Sequence, residues 1–262
     1  RVISVPEEKL KIVQRWIAAY ILQEIPVHAA SCAFTKKCSI VACASQHRNA
    51  RWLVKMDVSA FFGSISAIQV YRVFLEAGYS RLVAFELAQI CTYAPDKSER
   101  YGQPNWTRWP VLGASYPYRK QRIGYLPQGA PTSPMLSNLV MRETDKAIAK
   151  IARDAGLTYT RYSADTAFSP TEDFNRTKAM SVVRATTAAL RAIGLMVNER
   201  KTKIVPPGAR KIVLGLLVDG DEPKLTREFR DSLRQHLYYA AKFGPEAHRN
   251  RREFDSVAGL YR

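Results

Sequence analysis

Two aspartates stand where apolar, β-favouring runs meet a turn. Asp57 closes Trp52-Leu-Val-Lys-Met-Asp57, and Asp165 lies at the bend of Thr158-Tyr-Thr-Arg-Tyr-Ser-Ala-Asp-Thr-Ala-Phe-Ser169. The second run has β-favouring arms about a small polar tip, the pattern of a hairpin presenting an acid at its bend. A lone aspartate after a strand is most often a turn or cap residue. Clustered carboxylates have another use: they can hold two divalent cations roughly 3.5–4 Å apart across a reacting phosphate. Lys201, in Gly194-Leu-Met-Val-Asn-Glu-Arg-Lys-Thr202, is a residue type that could neutralise or protonate a departing pyrophosphate. It is equally a residue type found solvated at a surface.

The elements that must position these groups can be read from periodicity. An amphipathic helix is expected over 6–24, with Leu10, Val13, Ile17, Tyr20 and Ile21 on its apolar face. From Ile25 to Arg51 the chain is mixed and basic, with short β-like runs such as Ser39-Ile-Val-Ala-Cys43. Trp52–Asp57 reads as a buried strand. Ser66 should cap a helix reaching about Ala77, and Ser80 a second reaching about Tyr93. Residues 94–124 lose periodicity and read as a long loop or insertion. A helix from Pro134 to about Ala152 precedes the hairpin, and another over Phe174–Ile193 ends at Gly194. Ile204-Val205 and Ile212–Val218 read as strands, and Leu225-Thr226 opens a last helix with Pro245 beyond its end. This order is compatible with a split βαβ, ferredoxin-like α+β centre, one of several α+β layouts the pattern permits.

Forty Lys plus Arg against 23 Asp plus Glu leave a net charge of +17, interleaved with 13 Tyr and 4 Trp. That balance suits a polyanion bound along a groove, although a solubilising surface or an anionic membrane would also accept it. The cysteines Cys32, Cys38 and Cys43 lie near His28 and His47, but their spacings match no common zinc pair. Ordinary thiols in a reducing cytoplasm are expected for them and for Cys91. No apolar run approaches the ~18 residues of a membrane span, and no secretory leader is evident. Arg1 in first place suggests part of a longer protein, or one with trimmed ends.

The stretch Leu126-Pro-Gln-Gly-Ala-Pro-Thr-Ser-Pro-Met-Leu-Ser-Asn138 is the most specific in the chain. Gly129 would let the backbone approach a ligand, Pro131 and Pro134 set the turn into a helix, and Gln128 can contact the sugar and phosphate region of a nucleotide. With Val54-Lys-Met-Asp57-Val-Ser-Ala-Phe61-Phe62 before it and the Tyr162-Ser-Ala-Asp165 hairpin after it, the chain resembles bacterial retron-type reverse transcriptases, the retron and group II intron enzymes. The resemblance covers roughly residues 4–243.

The resemblance implies a right-hand polymerase: fingers over 1–50, a ferredoxin-like palm over 51–222 with a fingers-side insertion at 94–124, and the start of a helical thumb over 223–262. It implies that Asp57, the Val58 carbonyl and Asp165 hold two Mg²⁺ ions, with Mn²⁺ able to replace them, and that Phe62 is an aromatic gate against a ribose 2′-OH. Phe61 is assigned to the core. Arg210–Val218 resembles the primer-gripping hairpin, with Leu214 and Gly215 at its centre. Arg227, Arg230 and Arg234 share one face of the last helix and could track a duplex backbone, while Leu225, Phe229, Leu233, Leu237 and Tyr238 suit another face. The implied partners are an RNA template, its cDNA and their hybrid, dNTPs, a cognate non-coding RNA and an effector protein, with no membrane, in a bacterial cytoplasm and a phage-defence setting.

Three departures from the pattern matter. Related enzymes carry Gly-Arg-Ser where this chain has Lys37-Cys38-Ser39, so Lys36 or Lys37 must make any triphosphate contact. Of an Asn-Ala-x-x-His motif before the first palm segment, Ala44 and His47 remain. Most consequential, the first acid of Tyr-x-Asp-Asp is Ala164. Two readings follow: a polymerase held inactive by one recent or engineered change, or a nucleic-acid-binding scaffold that has lost polymerisation. A group II intron maturase is the alternative within the polymerase class.

Overall fold

The computed structural model describes residues 3–36, 38–94, 123–170 and 174–251. Lys37, nearly all of the expected 94–124 insertion and the last residues of the expected thumb lie outside the described residues.

Four strands form the central sheet: β1 (Leu53–Asp57), β2 (Leu157–Tyr162), β3 (Asp165–Pro170) and β4 (Lys203–Val205). Their order is β2-β3-β1-β4 with every neighbouring pair antiparallel, the ferredoxin-like arrangement expected for the centre. Alternation along the strands sorts the side chains. Val54, Met56, Phe168 and Ile204 point to the main core, whereas Leu53 and Ala167 point to a smaller cluster with Ala44, Val213 and Leu216. Asp57 and Lys55 share the face of Leu53, so the acid opens away from the main core.

Helices cover the main-core face. After β1 come α3 (Ala67–Glu76) and α4 (Arg81–Cys91), then α5 (Ser133–Asp154), with α6 (Arg176–Ala192) between β3 and β4. Ser66 and Gln69 form a reciprocal capping box at the start of α3. Ser80 occupies the N-cap of α4 without a side-chain bond. Pro134 sits in the first turn of α5, where its missing N–H costs nothing, and Asn175 caps α6 by accepting from the Lys178 N–H.

Several expectations are corrected. The β-like run Ser39–Cys43 is helical: α2 spans Ile40–Ser45, and the Ser39 hydroxyl accepts from the Ala42 N–H. A good cap, together with Cys43 and Ala44 buried on one side, outweighs the β preference of Ile40 and Val41. Ile212–Val218 is broken into β5 (Ile212–Val213) and β6 (Leu216–Leu217) by a turn whose Leu214 and Gly215 have φ of 50° and 84°. Two left-handed central residues match the twist of a tight hairpin. Leu225 belongs to a third strand, β7 (Lys224–Leu225), and Thr226 caps α7 (Arg227–Phe243). Pro245 starts α8 (Pro245–Arg251) instead of merely following a helix.

In α1 (Glu8–Tyr20) only a narrow stripe is buried: Gln14, whose amide donates to the Ile90 carbonyl, and Ile17. Leu10, Val13 and Tyr20, expected on the apolar face, are exposed. No residue of α7 is buried, and Phe229, Leu233, Leu237 and Tyr238 stand in solvent. Among the described residues no helix is long and apolar enough to cross a membrane.

Candidate active site

The antiparallel register of β1 and β3 sets Asp57 directly opposite Asp165. The pair is pinned at its end, where the Val58 N–H donates to the Ala164 carbonyl at 3.1 Å. On the other side, the Asn198 N–H donates to the Asp57 carbonyl at 2.7 Å, fastening β1 to the turn that carries Lys201. Lys201 Nζ lies 3.1 Å from Asp57 Oδ2, so the lysine is ion-paired while remaining 54% exposed. Asp57 is buried and Asp165 stands at the mouth. The Asp165 carboxyl is raised above its ordinary 3.8, first by desolvation and then by the charge of Asp57, while Lys55 and Lys201 pull it down.

Two carboxylates that repel each other at one level of a sheet make a fitting seat for a divalent cation. Among the described residues no group of three or more His, Cys, Asp or Glu is placed to hold a metal, so these two acids would need carbonyl, water or substrate oxygens to complete a shell. Ala164, the position at which the family resemblance implies a further carboxylate, packs against the main core. Cys32, Cys43 and Cys91 are buried free thiols and Cys38 is a half-buried one.

Behind the hairpin lies a network that sequence reading missed. Arg161 on β2 is fully buried and pairs through Nη2 with Asp145 Oδ2 of α5 at 2.7 Å. The same guanidinium donates to Asn138 Oδ1, to Ser31 Oγ and to the carbonyl of Ser163, the tip residue with φ 58°. Tyr159 Oη completes the network by donating to Asp145 Oδ1. Burial and the Asp145 charge hold the Tyr159 phenol well above its ordinary range. An arginine within an alternating strand reads as a surface residue, and only the partner acid 16 positions upstream could have signalled otherwise.

His47, retained from the family motif, is also explained. Its ring is fully buried, with Nδ1 2.7 Å from Ser169 Oγ and Nε2 2.7 Å from Thr160 Oγ1. Desolvation lowers its pKa to about 4, so it is a neutral clamp between the segment after α2 and the hairpin strands.

The other expected residues fall into two groups. Phe61 is in the core, and Phe62, half-buried, begins a 3₁₀ turn after Ala60, whose φ is 46°. Leu214 and Gly215 are brought to Asp165: they line a cleft of about 70 Å³ with it, Lys55 and Tyr162. Gln128 is exposed. At Gly129 the chain's own N-terminal segment comes close. A Cβ there would lie 2.9 Å from Ile3 Cγ2 and 3.0 Å from the Ser4 carbonyl, and the Ser4 N–H donates to the Gln128 carbonyl. Lys36 is exposed, and Lys37 lies outside the described residues. Arg227, Arg230 and Arg234 are exposed on α7, the first and last beside Asp231 at 3.5 Å.

Comparison with known proteins gives one consistent picture. Residues 1–217 match the family described as Reverse transcriptase (RNA-dependent DNA polymerase). The retron Mx162 reverse transcriptase of Myxococcus xanthus is 31% identical over 245 residues, covering 90% of this chain and 48% of that protein. The retron Mx65 enzyme of the same organism is 33% identical over 251 residues, covering 95% of this chain and 55% of that protein. The retron Ec86 enzyme of Escherichia coli is 29% identical over 239 residues, with 91% and 65% covered. The chain therefore spans about half to two thirds of the length of these relatives. Among solved structures, telomerase from Candida albicans aligns with a TM-score of 0.50 at 12% identity, covering 84% of this chain and 37% of that chain, a likeness of fold.

Proposed function

This chain belongs to the reverse transcriptase family, is retron-type in its relatives, and on that premise we propose that it is the polymerising part of an RNA-directed DNA polymerase held inactive at Ala164. The observation that carries this reading is the cross-strand Asp57–Asp165 pair with Lys201 at 3.1 Å from Asp57. In the reaction the primer 3′-OH attacks the α-phosphate of a dNTP, a phosphodiester forms, and pyrophosphate leaves. Mg²⁺, or Mn²⁺ in its place, would be held by Asp57, Asp165 and the Val58 carbonyl, and would supply charge neutralisation at the reacting phosphate.

The remaining roles belong to the chain's own groups. Lys201, which pairs with Asp57, would meet developing charge on the leaving pyrophosphate and give it a proton. Phe62 would stand against the sugar, and Gln128 and Gly129 would border the nucleotide, with Lys36 and Lys37 toward the triphosphate. Leu214 and Gly215, beside Asp165 in the same cleft, suit a grip on the primer end. Arg227, Arg230 and Arg234 suit the phosphates of an RNA–DNA hybrid. In these terms 1–50 are fingers, 51–222 palm and 223–262 the start of a thumb, acting on a structured non-coding RNA in a bacterial cytoplasm, with an effector protein as further partner.

Ala164 favours a second reading, a catalytically inert RNA-binding scaffold. Reverting Ala164→Asp separates the two. Polymerisation predicts that Mg²⁺-dependent dNTP incorporation on an RNA template rises on the order of 10³-fold or more, as expected for restoring a charge-stabilising group. No incorporation by the revertant, with RNA binding intact, would sink the polymerase reading.

A further inference from the structure

Phe34 combines strain, exposure and position in a way that packing alone does not require. Its φ is 63°, a left-handed conformation that a bulky residue keeps only where its surroundings over-determine it. Yet the residue is 46% exposed, so burial is a weak reason to hold it there. The constraint comes from the backbone before it. Ser31 bridges to Arg161 in parallel, the Arg161 N–H donates to the Ala30 carbonyl at 2.7 Å, and the Cys32 N–H donates to the Arg161 carbonyl at 2.8 Å. Asn138 Nδ2 then donates to the Ala33 carbonyl at 2.7 Å, the last bond before the left-handed turn. The hairpin that carries Asp165 thus holds the segment that aims Phe34.

The ring is aimed at two others. Its centroid lies 6.4 Å from that of Phe62 and 6.5 Å from that of Tyr162, both tilted contacts within the range of favourable aromatic pairs. Phe61 supports Phe62 from the core side at 5.6 Å. Phe62 is therefore held between a buried ring and an exposed one, and the exposed one comes from a different part of the chain.

We propose that Phe34 is a specificity-determining positioning residue: its ring braces Phe62 across the mouth of the site and sets how closely Phe62 approaches the 2′ position of an incoming nucleotide. This rests on the reading of Phe62 as the sugar gate. Rejection of a ribonucleotide then depends on a clash that a loosened Phe62 ring could avoid, whereas a deoxynucleotide is indifferent to the loosening.

The test measures competition between a dNTP and the matching rNTP for the full chain bound to an RNA template and a dideoxy-ended DNA primer with Mg²⁺. Incorporation in the Ala164→Asp background is the second readout. Phe34→Ala should lower the preference for dNTP about two- to tenfold, the worth of an aromatic pair, through tighter rNTP binding with dNTP affinity nearly unchanged. Phe34→Tyr should keep the preference. Phe62→Ala is the control, and should relax it further. If Phe62→Ala relaxes the preference and Phe34→Ala leaves it intact, the inference fails while the gate stands. If Phe34→Ala weakens both nucleotides equally and lowers the melting temperature, Phe34 is only structural and the inference fails. If Phe62→Ala changes nothing, or neither nucleotide binds, the gate reading falls and the inference with it.

Discussion

Asp57 and Asp165 are acids that repel each other in the absence of a cation, and the consequence is measurable at Asp165. Its folded carboxyl is raised above 3.8 by desolvation and by Asp57. A raised carboxyl means that the folded state holds its proton more tightly than the unfolded chain. Stability from this group is therefore full below 3.8 and is lost as pH rises through the raised folded value. Asp165→Asn should raise the melting temperature at pH 7 and leave it unchanged at pH 3. Mg²⁺ should stabilise the unsubstituted chain more than the variant at pH 7. A variant that melts lower at pH 7, or gains as much from Mg²⁺, would show that the carboxyl is not under this strain. Both acids were legible in the sequence because Asp57 closes a β-favouring run and Asp165 sits at the bend of another. The ion pair of Lys201 with Asp57 was not, since 144 residues separate the two and an isolated lysine is normally solvated.

Among the elements, the hairpin is held from behind. Arg161 joins β2 to α5 through Asp145 and to the N-terminal segment through Ser31, with neither charge exposed. A buried pair need not add net stability, but removing one partner leaves a buried charge uncompensated. Arg161→Met should therefore destabilise the fold by about 3–5 kcal/mol in urea unfolding. Arg161→Met combined with Asp145→Leu should recover most of that loss, although the tip carbonyl of Ser163 would lose its donor. If the double variant is no more stable than the single one, the cost lies elsewhere than in the stranded carboxylate. The elements themselves were largely legible: α3, α5, α6 and the hairpin follow periodicity and caps. Ser39–Cys43 was misread because a six-residue helix offers little periodicity, and its burial against the sheet decides its form.

For the whole molecule the net charge of +17 is the dominant property, and it predicts RNA affinity that falls steeply with salt. Replacing Arg227, Arg230 and Arg234 together by Ala should reduce the slope of log affinity against log salt by about 2–3, at roughly 0.7–0.9 per lost phosphate contact. Titration of an RNA template between about 50 and 200 mM salt measures it. An unchanged slope would remove α7 from the nucleic-acid path. By itself the sequence determined the α+β class, the strand-end acids and the basic character, because each is a property of residue type and short-range spacing, while the carboxylate missing at 164 was implied only by the family resemblance. Tertiary structure alone decided the Asp57–Asp165 register, the burial of Arg161 and His47, the segment that fills the space beside Gly129, and the rings that meet at Phe34. These depend on which distant segments share a face, and a buried charge or a strained backbone is tolerable only once its remote partners arrive.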